Sequence, residues 1–207
     1  MQKIVPHVWF DTEAKEAAEF YVAAFGDFKS TNIINTTVLH DTPGGDAMTV
    51  AFQLGGYEFM AISAGPIFKP NPAISFMVNF DPSRDPKASE NLEKLYHTLA
   101  EGGFAMMPLD EYPFSKKYGW IQDKYGVSWQ LILTDPDGDP RPFIMPSLLF
   151  VTDTGKVTEE ARAFYVSVFK DAKEGIIAKY PAGMEPNPEG AVMFSDFTLE
   201  GQWFTAM

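Results

Sequence analysis

The stretch Val5-Pro6-His7-Val8-Trp9-Phe10, with Thr12 to Phe25 behind it, decides the fold. Its first part reads as a short buried strand and its second as an amphipathic helix. Ala17, Phe20, Tyr21, Ala24 and Phe25 fall at i, i+3, i+4, i+7 and i+8, a single apolar stripe. Glu13, Lys15, Glu16 and Glu19 take the solvent side. Thr12 is placed to cap the helix start, and Gly26 to end the helix in the left-handed conformation that costs glycine little. The same stripe returns about 144 residues later as Ala161, Phe164, Tyr165, Val168 and Phe169.

Outward from that stretch, Lys29–His40 is β-branched and strand-like, and residues 41–46 are dense in turn formers. Met48–Leu54 and Tyr57–Ser63 read as two strands joined by the tight turn Gly55-Gly56. This is one β-α-β-β-β unit. After a Pro/Gly-rich connector at 64–72 the order restarts: strand 73–80, helix 86–101, strands 105–109, 118–122 and 127–134. The segment 135–142 alternates acids with prolines and reads as an extended, solvated spacer. Residues 146–207 then repeat the first unit: strand 146–151, helix 158–169, strand 175–178, and the pair 191–199 and 202–207 around Glu200-Gly201. The fold class expected is α+β, three tandem βαβββ modules. Residues 1–135 are expected to pair two modules in one curved eight-stranded sheet around a cleft, with helices outside. Residues 136–145 form the linker, and 146–207 a third, unpaired module.

Composition excludes several functions. The net charge of −12 argues against nucleic acid, whose phosphates require a basic surface. The absence of cysteine removes disulfides, thiolate nucleophiles and zinc–thiolate sites, and fits a cytoplasmic setting. No apolar run approaches the roughly 18 residues of a membrane span, and no signal-peptide core precedes the first strand.

Several segments carry a family resemblance. They are Phe10-Asp11 with Glu16-Ala17-x-x-Phe20-Tyr21, then Gly55-Gly56-Tyr57-Glu58-Phe59-Met60-Ala61, Phe68-Lys69-Pro70-Asn71-x-Ala73-Ile74-Ser75-Phe76, and Gly119-Trp120-x-x-Asp123-Lys124-Tyr125-Gly126-Val127-Ser128-Trp129-Gln130. The chain resembles the PhnB-like branch of the vicinal oxygen chelate superfamily, which includes glyoxalase I, bleomycin-resistance proteins and extradiol dioxygenases. The branch carries the label 3-demethylubiquinone-9 3-methyltransferase. The resemblance implies paired modules around a cleft; it does not fix a reaction.

Metal-dependent members of that superfamily hold a divalent ion on the first and late strands of two modules. Carried over, those positions are His7, Ala73, Gln130 and, near the fourth strand, Glu58. Alanine binds no metal and a neutral amide binds weakly, while His97 falls on a helix. We therefore expect no metal and no cofactor. A methyltransferase of the common type needs a glycine-rich strand–helix junction, and Phe10-Asp11-Thr12-Glu13 holds no glycine. His7 and Glu58 are a candidate acid–base pair, but nothing in the sequence brings them together.

The candidate ligand site is a cleft within 1–135 lined by His7, Trp9, Glu58, Met60, Trp120, Gln122 and Gln130, accepting a small apolar or aromatic metabolite. Trp120 and Gln130 are expected to point into the sheet's interior. Tyr112, Lys116 and Lys117 are expected in a loop able to close over it. The competing functional class is a metal-dependent lyase, isomerase or dioxygenase. An unpaired third module would leave Leu149, Met193, Phe197 and Phe204 on an open apolar face, so a homodimer of two third modules is expected.

Overall fold

Three short runs open the modules, seventy residues apart: Ile4-Val5-Pro6-His7-Val8-Trp9-Phe10, Ile74-Ser75-Phe76-Met77-Val78-Asn79-Phe80 and Ile144-Met145-Pro146-Ser147-Leu148-Leu149-Phe150. Each starts on Ile and ends on Phe, and each yields the first strand of its module. A computed structural model describes residues 2–42, 45–150, 157–184 and 186–207. Module 1 is β1 (His7–Phe10), α1 (Ala14–Gly26), β2 (Thr31–Thr42), β3 (Gly45–Leu54) and β4 (Tyr57–Ser63). Module 2 is β5 (Ile74–Phe80), α2 (Ala88–Ala100), β6 (Phe104–Tyr112), β7 (Ser115–Gln122) and β8 (Ser128–Leu133). Module 3 is β9 (Ile144–Leu148), α3 (Val157–Val168), β10 (Lys173–Lys179), β11 (Val192–Leu199) and β12 (Gln202–Ala206).

Within each module the first strand runs parallel to the last, giving the order first–fourth–third–second. Gly55 and Gly56, at φ 58° and 83°, form the two-residue turn between β3 and β4 that such positive angles allow. Local details differ from the sequence reading at the ends of α1. Thr12 does not cap the helix; the Ala14 N–H donates to Ser63 Oγ at 2.9 Å instead. Gly26 is the last helical residue, and Asp27 behind it stays right-handed, so no left-handed cap forms. Tyr112, Lys116 and Lys117 are not in a loop: they belong to the β6–β7 hairpin, where Tyr112 faces Ser115.

The larger correction concerns which modules share a sheet. Residues 1–135 do not form the eight-stranded sheet. Module 1 has its own four-stranded sheet, β1-β4-β3-β2. The eight-stranded sheet joins modules 2 and 3 in the order β10-β11-β12-β9-β5-β8-β7-β6. Its seam is the antiparallel pair β5–β9, with Ser75 opposite Ser147 and Phe76 opposite Pro146. The third module is therefore paired, and Phe197 and Phe204 are buried beside Tyr165 of its own helix rather than open. Leu149 donates its N–H to Ala73 at the seam, and Met193 is half-buried.

Modules 1 and 2 meet instead through their helix-bearing faces. The stripe Ala14, Ala17, Ala18, Tyr21 and Phe25 of α1 enters one core with Leu92, Leu95 and Leu99 of α2, Phe52 and Phe59 of module 1, and Phe76 and Trp129 of module 2. Trp129 lies 5.3 Å from both Tyr21 and Phe25, and Phe59 meets Phe76 edge-on at 4.9 Å. Burying each such ring contributes about 1.5–3 kcal/mol. The polar counterpart is Asp123. Its Oδ2 accepts the Tyr21 hydroxyl and the Trp129 indole N–H, both at 2.8 Å, and its Oδ1 accepts the N–H groups of Tyr125 and Val127 at 2.9 and 3.0 Å. Among the described residues no helix is long and apolar enough to cross a membrane.

Candidate functional site

Strand alternation settles which side chains face away from the helices. On β8, Trp129 and Leu131 enter the core, so Ser128 and Gln130 take the open face. Trp120 lies opposite Gln130 and Gln122 opposite Ser128, so all three candidates share that face. The face belongs to the sheet of modules 2 and 3, however. It is closely hydrogen-bonded: the Tyr118 hydroxyl donates to Gln130 Oε1 at 2.6 Å, and Gln130 Nε2 donates to Ser75 Oγ at 2.8 Å and Ser147 Oγ at 3.3 Å. Gln130 is 1% exposed and fastens β8 to both strands of the β5–β9 seam. Burial pushes the Tyr118 hydroxyl well above the ordinary tyrosine range, so it stays protonated as a donor. Trp120 is half-buried and donates its indole N–H to Ser128 Oγ at 2.8 Å.

The row continues into module 3. Ser147 faces Thr205, and Thr205 faces Asp196. Asp196 pairs with Arg141 at 2.7 Å, and the guanidinium lies 4.1 Å from the centre of the Trp203 ring. The segment expected to be a solvated spacer thus carries a half-buried arginine tied into the sheet.

His7, Trp9, Glu58 and Met60 fall on the helix-free face of module 1, where His7 lies opposite Met60 and Trp9 opposite Ile62. Glu58 is clamped through its backbone by Gln2, which donates to its carbonyl and accepts from its N–H. No hydrogen bond joins the His7 and Glu58 side chains among the described residues, so no acid–base pair is assembled.

Trp9 and Gln122 come together at a cavity of about 350 Å³ between modules 1 and 2. Its walls are Trp9 and Phe10 at the end of β1, the connector residues Phe68, Lys69 and Pro70, and Gln122, Lys124 and Tyr125 at the β7–β8 turn. Trp9 is fixed by its indole N–H to Gly65 carbonyl at 2.8 Å, with Phe68 edge-on at 5.1 Å. Phe68 is 61% exposed, so one side of its ring packs on Trp9 and the other meets solvent. Tyr125 donates its hydroxyl to Glu16 at 2.8 Å, and burial holds that hydroxyl above its ordinary range. Asp11, Glu13, Lys69 and Lys124 also line the cavity and give it charges of both signs. A neighbouring groove of about 370 Å³ lies along Val38, Met48 and Ser63, without an aromatic wall. Sequence reasoning named Trp9 and Gln122 but missed Phe68 and Tyr125. The available signal was an aromatic residue amid prolines, where a core side chain has no place.

The residues at the strand positions equivalent to His7 and Met60 bear on the divalent ion of metal-dependent members. Strand register places Met77 and Ser147 at the positions equivalent to His7, and Gln130 and Thr205 at those equivalent to Met60. A thioether, an amide and two hydroxyls lack the carboxylates and imidazoles such an ion needs. Ala73 precedes β5 and is not the position matching His7. Among the described residues no three His, Asp or Glu side chains cluster as a metal site.

Comparison with known proteins agrees with this architecture. The chain matches the family described as 3-demethylubiquinone-9 3-methyltransferase over residues 2–132 and again over 142–207. It is similar to a putative 3-demethylubiquinone-9 3-methyltransferase, PhnB protein, from Bacillus cereus, at 37% identity and a TM-score of 0.55, over 64% of this chain and 100% of that one. Glyoxalase I from Zea mays shares the fold at 14% identity and a TM-score of 0.54, over 98% of this chain and 65% of that one. No curated protein matches the chain.

Proposed function

Because the chain belongs to the 3-demethylubiquinone-9 3-methyltransferase family, in its PhnB-like, glyoxalase-related form, we propose that it binds a small, flat apolar or aromatic metabolite in the cavity between Trp9 and Tyr125. The exposed Phe68 ring against Trp9 carries this reading. Two aromatic faces at the wall of a cavity of this size reward a ligand that removes them from water, and Gln122 with the mixed charges of the rim supplies polar contacts that fix its orientation. Methyl transfer, which the family description names, is not part of the proposal. The β1–α1 junction holds Asp11 and Glu13 and no glycine, so it offers a cofactor carboxylate repulsion rather than a backbone cradle. The cysteine-free composition supports a cytoplasmic setting. A homodimer is part of the same reading.

A thermal-shift panel of indoles, naphthoquinones and naphthalene sulfonates tests the site. A compound at about 100 times its Kd stabilises the native state by about 2.7 kcal/mol. For a chain of this size that raises the midpoint by about 5–10 °C. Trp9→Ala and Phe68→Ala should each abolish the shift, and Trp120→Phe should keep it. Retention of the full shift in both Trp9→Ala and Phe68→Ala would place the ligand elsewhere.

A further inference from the structure

Residues 2–4 lie between modules 1 and 3 and are bonded to both. Gln202, the first residue of β12, accepts the N–H groups of Lys3 and Ile4 on its Oε1, both at 2.7 Å, and donates its amide to the Ile4 carbonyl at 3.0 Å. Gln2 grips from the other side. Its amide donates to the same Ile4 carbonyl at 3.0 Å and to the Glu58 carbonyl of β4 at 2.9 Å, and its Oε1 accepts the Glu58 N–H at 2.8 Å. The Ile4 carbonyl thus takes one N–H from a side chain fixed to module 1 and one from module 3, which fills both of its lone pairs. The Ile4 side chain packs against the module 3 cluster of Phe197 and Phe204.

Lys3 adds charge to the same contact. Its ammonium lies 2.6 Å from Glu200 and 3.8 Å from Asp171. Both acids are non-glycine residues at positive φ, 52° and 46°. The matching turn of module 1 has Gly55 where module 3 has Glu200. A glutamate at that position carries a backbone cost that glycine avoids. What it supplies is a carboxylate that accepts the Lys170 N–H at 3.1 Å and pairs with Lys3, and the hydrogen bond from Lys3 holds that carboxyl below its ordinary range. The ion pair is half exposed on the lysine side and adds little by itself. The amide bonds of Gln2 and Gln202 carry the contact.

The three modules are thereby closed into a ring. The shared core joins 1 to 2, the β5–β9 seam joins 2 to 3, and residues 2–4 join 3 to 1. Ile4 and Gln202 are 198 residues apart, and the entropy of closing so long a loop is already lost once the seam forms. The contact then forms at the high effective concentration of an intramolecular encounter. We propose that residues 2–4 are a clasp that gates the opening of module 3: the segment lets go of Gln202 before β9 separates from β5. Docking of module 3 and ordering of residues 2–4 are then one cooperative event.

Native-state hydrogen exchange on the full chain, resolved by mass spectrometry into peptides of β3, β8, β9 and β10, tests the clasp. Gln202→Ala removes three hydrogen bonds to residues 3 and 4. It should speed exchange in β9 and β10 by about tenfold and leave β3 and β8 unchanged. Gln2→Ala should act in the same direction. Among the described residues Gln2 has no hydrogen bond to module 3, so faster exchange in β10 reaches it through the clasp. Unchanged rates in β9 and β10 in both variants would show that the seam alone holds module 3 and would overturn the proposal. Acceleration with Gln202→Ala alone would reduce the contact to a local one and overturn it as well, as would equal acceleration of β3 and β8, the mark of a global loss of stability.

Discussion

Asp123→Asn is expected to lower stability by about 3 kcal/mol, because a buried acceptor of four hydrogen bonds becomes an acceptor of at most two. The carboxylate is 4% exposed and faces only donors: Tyr21, Trp129 and two backbone N–H groups. The amide nitrogen of asparagine would point its own N–H at two of them. Two bonds are lost and two buried donors go unsatisfied. Since Tyr21 belongs to module 1 and Trp129 to module 2, the damage falls on the interface between them. The urea midpoint checks this, with a companion fall of about 6–12 °C in Tm.

The pH dependence of that loss has a definite sign. Burial holds the Asp123 carboxyl above the usual carboxylate range, and the four donors offset only part of the effect. Between its unfolded and folded pKa values the native state binds more protons than the unfolded chain, so stability falls as pH rises. The contribution of Asp123 is therefore fully present below its unfolded pKa and is lost as pH rises through the folded one. Asparagine does not titrate. The advantage of wild type over Asp123→Asn should be larger near pH 4 than at pH 7. A gap that is flat or grows with pH would contradict a desolvated carboxyl.

Arg141→Ala is expected to cost about 3 kcal/mol or more. Asp196, its partner at 2.7 Å, has a side chain only 3% exposed, and its second oxygen accepts the Ile176 N–H. Removing the guanidinium leaves a buried negative charge and uncovers the Trp203 ring. The neighbouring Gly175 belongs to the same arrangement, since a Cβ there would lie 2.0 Å from Asp196 Oδ1. Because the loss is mainly an uncompensated charge, Arg141→Ala/Asp196→Ala should cost less than the sum of its single variants by at least about 1 kcal/mol. Additive costs would mean that the ion pair is not coupled.

The three modules were legible because each is specified locally. The stripe of α1, the Gly55-Gly56 turn and the recurrence of both in module 3 depend on residues close together in the chain. Which modules share a sheet was not legible. The opening strands of all three carry the same Ile-to-Phe frame, so each edge is chemically fit to pair with either of the others. In the folded chain β9 pairs with β5, while α1 of module 1 packs on Trp129. The candidate face of β7 and β8 followed from alternation around the Asp123–Gly126 turn. The cavity did not, because it is bounded by the ends of strands, a connector and a turn from two modules, and no periodic pattern marks such a place.

The two cores differ sharply in depth, and this bears on how the molecule opens. Among the described residues, the cluster of module 3 rests on Phe197, Leu199, Phe204 and Ala206, while the cluster shared by modules 1 and 2 draws on both helices and both sheets. Phe164 and Val168 of α3 bury little, where their counterparts at positions 20 and 24 of α1 pack against the main core. Module 3 is then the first foldon to detach, and its amides should exchange with solvent at a lower free energy than those of β8. Its departure uncovers β5, a central strand whose residues Phe76 to Phe80 are all buried in the closed protein. A partly open molecule with an intact main core thereby presents a sticky edge. Aggregation on storage should track this sub-global opening rather than complete unfolding.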